Sequence, residues 1–297
     1  MIYAVLVVLG LCLGSFVNAL VWRLRQQSQT TAKSPYANRQ SSAKKSKQQG
    51  TGDRRQATGD YSILQGRSMC PHCKHTLAAK DLVPVLSWLT LGGKCRYCRK
   101  PISWQYPVVE LLTAAIFVAS YIWWPLALDG RGIFDLAIWL LIVVCFMALS
   151  LYDLKWFELP DRVVVPVTAL ITIQSIVDAF IFRGGWQELA ARAAGMVIIG
   201  GLFFGLYVLS KGNWIGFGDV KIAPALGLLA ATPFKSLLVI FLASVLGTLA
   251  AVPLLARGKA SRNTHIPFGP FLLLATAITV LFGNDIIQAY LNLMQLG

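Results

Sequence analysis

The sequence predicts an all-α polytopic membrane protein: about eight transmembrane helices with a cytoplasmic four-cysteine, zinc-binding loop. Three observations carry that expectation. Hydrophobic residues make up 56% of the 297 residues and charged residues only 13%, against typical soluble values of about 45–50% and about 25%. A soluble chain this apolar lacks the polar side chains to cover its own surface. Apolar runs of roughly the ~20 residues needed to cross a bilayer recur from end to end, parted by polar breaks. The positive charge is concentrated: 16 of the 27 Lys and Arg lie between Arg23 and Pro101, opposed only by Asp53, Asp60 and Asp81, so this segment carries +13 of the net +14. With 15 Phe, 9 Trp and 9 Tyr, a chain disordered throughout is excluded.

Residues 1–25 read as the first span, apolar from 2 to 22. A cleaved signal peptide carries basic residues before its apolar run. Here none precedes it, and Arg23 and Arg25 follow, so the span is expected to be retained with its N-terminus outside. Residues 26–66 are rich in Gln, Ser, Lys, Thr and Gly. They bury too little to offset the entropy of ordering and are expected to form a disordered basic linker. Residues 67–102 make the four-cysteine loop and 103–297 the membrane body, with spans near 105–124, 133–151, 162–182, 193–210, 221–232, 234–256 and 267–290. The 221–232 piece is short for a crossing and is expected to be tilted or partial. Eight spans place 23–102, 152–161, 211–220 and 257–264 in the cytoplasm, segments that hold 21 of the 27 basic residues, as the positive-inside rule requires. Both termini then lie outside. Membrane lipid, through its anionic headgroups, is the expected partner of the basic loop, and nucleic acid is not.

Cys70-Pro-His-Cys73 and Cys95-Arg-Tyr-Cys98 are two C-x2-C pairs separated by 21 residues. Each pair can present two thiolates to one side of a tetrahedral metal, and soft thiolates select zinc or iron. Disulfides are disfavoured in a reducing cytoplasm. Four protein ligands leave no open position, so the metal is expected to be structural. Gly92-Gly93 suits a sharp turn before the second pair, and His72 and His75 read as surface residues. Cys12 and Cys145 lie inside spans and read as small apolar core residues.

Acidic residues at membrane depth are functional candidates by default. Asp129, Arg131, Glu188 and Asp285 fall in loops or near span ends on the outer side, where water solvates them, and Asp135 and Asp178 lie close to such ends. Glu110, near the inner end of its span, is open to a structural or a functional role. Two motifs stand apart: Asp153-Leu-Lys-Trp-Phe-Glu-Leu-Pro-Asp161 and Gly216-Phe-Gly-Asp219-Val-Lys221. Asp153 and Asp219 are 66 residues apart in sequence, yet the topology puts both at one depth on one side. Two carboxyls that meet cannot both ionise, so one can act as base toward water and the other as acid toward a scissile carbonyl. Gly216 and Gly218 would let a substrate backbone approach. The bland alternative pairs these acids with Lys155 or Lys221 at the headgroups.

The ordered set of motifs resembles the type IV prepilin peptidases, bifunctional enzymes of pilus assembly and type II secretion. It runs through Gly14-Ser-Phe-Val-Asn18, Arg23-Leu24, the two cysteine pairs, Asp81-Leu-Val-Pro-Val-Leu-Ser-Trp88, Pro101-Ile-Ser, Tyr106-Pro-Val-Val-Glu110-Leu-Leu, both acidic motifs and Pro267-Phe-Gly-Pro270. Only the 26–66 linker lies outside it. The resemblance implies a bacterial inner-membrane aspartic protease whose catalytic pair falls on Asp153 and Asp219, with Asp161 in support. It also implies prepilin and pseudopilin substrates, cleaved after the Gly that ends a short basic leader. The new N-terminus would then be methylated from S-adenosylmethionine. No G-x-G-x-x-G follows a strand pattern, so no residues are assigned to that cofactor. A proton-coupled transporter is the rival class, but it would favour acids near the midplane and internal repeats. A membrane-anchored zinc-loop adaptor would leave both acidic motifs unexplained. A metal-dependent intramembrane protease lacks its H-E-x-x-H.

Overall fold

The computed structural model describes residues 1–32, 67–182, 185–256 and 266–295. Among them the chain is helical: α1 (Ile2–Ala32), the short α2 (Leu86–Thr90), α3 (Gln105–Ile122), α4 (Gly130–Trp156), α5 (Asp161–Phe180), α6 (Gly185–Ser210), α7 (Phe217–Ala230), α8 (Pro233–Ala256) and α9 (Gly269–Gln295). Seven of these are long and apolar enough to cross a membrane; α2 and α7 are not. At 14 residues and ~1.5 Å per residue, α7 is about 21 Å long, short of a ~30 Å hydrocarbon core. It is the short helix that residues 221–232 suggested. The helix α1 continues to Ala32, into the stretch read as linker, because Arg25, Gln26 and Gln27 are good helix formers that sustain it past the apolar run. The rest of that linker, 33–66, lies outside the described residues, as does the basic loop at 257–264.

The chain divides into two compact units, Met1–Ala115 and Ile116–Gly297. In the first, α1 and α3 meet through small residues, the usual device where lipid is as apolar as the helices. Gly10 lies against the Ala114 backbone, and a Cβ on Gly14 would stand 2.7 Å from the Glu110 Cα. Asn18 fastens the same contact. Its Nδ2 donates to the carbonyls of Gly14 (3.3 Å) and Tyr106 (3.2 Å), and its Oδ1 accepts from Gln105 at 3.0 Å. Cys12 is exposed on α1 rather than part of a core, because the Gly10/Gly14 face is the one that packs.

In the second unit α7 is the central helix: Ile222, Ala223, Ala225 and Leu226 are fully buried. A helix apolar on every side needs neighbours on every side. Its closest neighbour is α6, which runs antiparallel to it. A Cβ on Gly200 would lie 3.0 Å from Pro224, and a Cβ on Gly195 would lie 2.6 Å from the Gly227 carbonyl. Gly227 in turn has the Gly195 carbonyl and the Met196 Cα, the latter 2.6 Å away, where a side chain would begin. Both obstacles are backbone, so nothing can swing aside. Gly227→Val is therefore expected to destabilise the unit by about 1–3 kcal/mol or more. A thermal melt in detergent, followed by tryptophan fluorescence, would show a lowered midpoint. An unchanged midpoint would show that α6 and α7 separate without cost.

At the end of the unit holding the starts of α4 and α6 lies a network that corrects the expectation of water-solvated charges. Asp135 and Asp178 are only 3% and 1% exposed. Arg192 of α6 donates to Asp178 of α5 (2.8 Å), to Glu188 (2.9 Å) and to the Leu228 carbonyl of α7 (3.5 Å). Arg131 of α4 joins Glu188 at 3.0 Å, and Gln174 donates to Asp135 at 3.0 Å. Charges withdrawn from water this far must pair, and the pairing ties four helices together. Asp129 and Asp285 are exposed, as expected. The side chain of Asp129 caps α4 by accepting from the Gly132 N–H at 2.8 Å.

Candidate active site

Asp153 sits in the last turn of α4 and Asp219 in the first turn of α7, both buried. The helix α4 stops where Phe157 turns left-handed at φ 56°, its N–H closing on the Asp153 carbonyl at 2.8 Å. Pro160 then starts α5. Gly216 precedes the first turn of α7. The two carboxyls converge on a third element, the start of α9. The point where a Cβ on Gly269 would lie is 2.6 Å from Asp153 Oδ2 and 3.3 Å from Asp219 Oδ1. These two oxygens are thus no farther apart than the sum of those distances, although the helices that carry them are separated in sequence. The backbone N–H of Gly269 donates a hydrogen bond to the Asp153 carboxylate.

The glycines of the second motif divide their roles. A Cβ on Gly218 would stand 3.0 Å from the Leu159 side chain, so Gly218 lets α7 start tightly against the α4–α5 connection. It is not an opening for substrate, as the sequence suggested. Gly216 is exposed, and a Cβ there would meet only Asp219 Oδ2, at 3.8 Å. That glycine leaves one flank of Asp219 open. Lys221 pairs with Asp161 across the α5–α7 contact at 2.6 Å, and the Lys155 ammonium lies over the Trp156 ring. Asp161 is thus a brace beside the site. An exposed pair of this kind contributes about 0.2–1 kcal/mol, so Asp161→Asn is expected to slow turnover by less than about fivefold. Steady-state cleavage kinetics would check this, and a loss as deep as that of an Asp153 variant would make Asp161 a direct participant.

The four cysteines form a small module of their own. Each pair closes a knuckle of the same shape. The Cys70 N–H donates to the His75 carbonyl (3.0 Å) and the Cys95 N–H to the Lys100 carbonyl (2.9 Å). The residue after each pair, Lys74 or Arg99, turns left-handed at φ 56° and 58°. Gly92 and Gly93 are left-handed at φ 59° and 67°, and a Cβ on Gly93 would also strike Trp88 at 2.9 Å. His72 and His75 are exposed, His75 stacked on Tyr97. All four Sγ atoms lie within 4.8 Å of one another, with Cys70 and Cys98 at 3.9 Å. A tetrahedron with metal–sulfur bonds of about 2.3 Å has edges of roughly 3.8 Å, so the thiols fit a soft tetrahedral ion. All six cysteines of the chain are free thiols. Burial works to raise the Cys95 thiol, but the N–H groups of Cys98 and Tyr97 and the neighbouring thiols outweigh it and bring it down to about 7. Glu110 has a structural task here. It is buried and accepts the Val85 N–H at 2.7 Å, holding a β-branched residue at φ 59°, a conformation it would otherwise avoid.

The sequence comparisons bear on both parts. Residues 8–124 match the Bacterial Peptidase A24 N-terminal domain and residues 139–252 match the Type IV leader peptidase family. A prepilin leader peptidase/N-methyltransferase of Aeromonas hydrophila is 35% identical over 78% of this chain and 77% of its own. The chain belongs to the type IV leader peptidase family. Proteins of the same name from Stutzerimonas stutzeri (30% identical, 97% of this chain and 93% of theirs) and Burkholderia pseudomallei K96243 (34%, 94% and 84%) extend the likeness nearly end to end. No solved structure matches the chain. The leader peptidase match contains both Asp153 and Asp219 and stops before Gly269. Gly269 is the site residue that sequence reasoning passed over: the Pro267-Phe-Gly-Pro270 motif was visible, but nothing in it pointed to the acids. A glycine wedged between prolines at the start of a span was the available signal.

Proposed function

We propose that this protein is a prepilin leader peptidase and N-methyltransferase of the bacterial inner membrane, and that Asp153 and Asp219 are its catalytic dyad. The observation that carries this reading is the convergence of the two buried carboxyls on Gly269. One carboxylate takes a proton from water as the water attacks the scissile carbonyl. The other, protonated, donates to the carbonyl oxygen. The tetrahedral intermediate then collapses, the C–N bond breaks, and the proton held by the first acid passes to the leaving amine. No covalent enzyme intermediate is required.

The substrates are prepilins and pseudopilins whose short basic leader ends in Gly, cut at the cytoplasmic face. The freed amine is methylated with S-adenosylmethionine as donor. Cys70, Cys73, Cys95 and Cys98 hold one structural zinc, which shapes the cytoplasmic module and takes no part in hydrolysis. The net charge of residues 23–102 keeps that module in the cytoplasm, beside anionic lipid, and with α7 crossing as an eighth, tilted span both termini lie outside.

Incubating the detergent-purified protein with a prepilin-like peptide, with and without S-adenosylmethionine, tests the reading. Mass spectrometry should find the leader released after Gly in both samples, and the mature peptide one methyl group heavier only when the donor is present. An intact peptide under both conditions would overturn the assignment.

A further inference from the structure

Gly269 is the first residue of α9, with Phe268 ahead of it accepting the N–H groups of Phe271 and Leu272, each at 3.1 Å. Pro270 has no N–H to offer. The opening turn of a 27-residue helix therefore leaves the Gly269 N–H free of helical bonding, and that donor goes to the Asp153 carboxylate. The positive end of the helix dipole points the same way. The backbone at Gly269 is not among the left-handed glycines, so its conformation alone does not call for glycine. The carboxyls do: a Cβ there would lie 2.6 Å from Asp153 Oδ2, closer than real Cβ contacts come, and 3.3 Å from Asp219 Oδ1.

We propose that Gly269 is a positioning residue of the protease, whose N–H holds Asp153 as the charged, water-activating member of the dyad and whose missing side chain lets Asp219 close against it. This rests on the dyad reading above and assigns roles within it: Asp153 the base, Asp219 the acid that protonates the carbonyl oxygen. An N–H donor fixes an acceptor carboxylate in one rotamer and compensates its charge. Asp219 faces the same point without being the recipient of that bond.

Two variants separate the donor from the space. Gly269→Ala keeps the N–H and adds a Cβ. Replacing residue 269 with glycolic acid, by cell-free translation of the full chain into nanodiscs, makes the linkage an ester that lacks the N–H and adds no atom. Cleavage of a prepilin-like peptide is followed as kcat and KM. A hydrogen bond to a charged group is worth enough that its loss should lower kcat on the order of 10–10²-fold in the ester, with KM within about twofold of wild type because substrate does not bind through residue 269. The alanine variant should lose at least as much, since Asp153 must withdraw. An ester with kcat within about threefold of wild type overturns the proposal, and so does a loss confined to KM. Should the alanine variant fail to accumulate, the ester alone decides. Asp153→Asn is assayed alongside. If it cleaves normally, the dyad reading fails; if it is inactive while the ester is normal, only the role of Gly269 fails.

Discussion

Asp153→Asn and Asp219→Asn are each expected to lower prepilin cleavage on the order of 10²–10⁴-fold or more, while the protein inserts and accumulates normally. Asparagine matches aspartate in volume and polarity, so packing around the ends of α4 and α7 is preserved. It can neither take a proton from water nor give one to a carbonyl, and the dyad needs both acts in one turnover. Removing one of two facing carboxyls also removes a like-charge contact. The thermal midpoint should therefore hold or rise, as is common where a site is built at the expense of stability. The measurement is kcat/KM for a prepilin-like peptide together with a melt of the same preparation. Cleavage near the wild-type rate by either variant would remove that residue from the mechanism. A collapse of both activity and midpoint would make the carboxyls structural.

Cys95→Ser should act on the other unit and leave the second one alone. The cysteine module has little apolar interior: Cys70 and Cys95 are its buried apolar side chains, and α2 contributes no buried residue. A module of this size relies on its metal, and structural zinc sites in small peptides contribute about 10–16 kcal/mol of apparent binding energy to folding. Replacing a buried thiolate by a hydroxyl should drop zinc from about one per chain toward none and loosen both knuckles. Helix packing maintains α4 to α9, so their thermal midpoint should not change. Elemental analysis of the purified protein and a thiol titration under denaturing conditions would check this. One zinc with six titratable thiols in the parent protein supports the site. Absence of metal together with two fewer thiols for each missing pair would mean disulfides, and would contradict a cytoplasmic module.

Much of this was open to a one-dimensional reading. Hydropathy along the chain reports the depth of each residue, and depth alone put Asp153 and Asp219 on one side of the membrane at one level. It also exposed residues 221–232 as an odd span, because an apolar run that short falls visibly short of a bilayer. The cysteine knuckles were equally legible, since a C-x2-C turn closes within a few residues and its geometry depends on nothing distant.

What hydropathy does not report is the rotation of each helix about its axis or the order in which helices pack side by side. Those are set by contacts such as Gly195 on Gly227, where a side chain of any size would change the approach. Placing both carboxyls at Gly269, giving Gly218 to Leu159 rather than to substrate, and turning Asp135, Asp178 and Arg192 inward into one ion network all depend on that rotation. Charges near a span end look solvated when counted along the chain. They are buried here because the faces of α4, α5 and α6 that carry them turn toward one another. The same logic runs through the site: the sequence supplies chemistry and depth, and interhelical packing brings both acids to the start of α9, where one N–H meets Asp153.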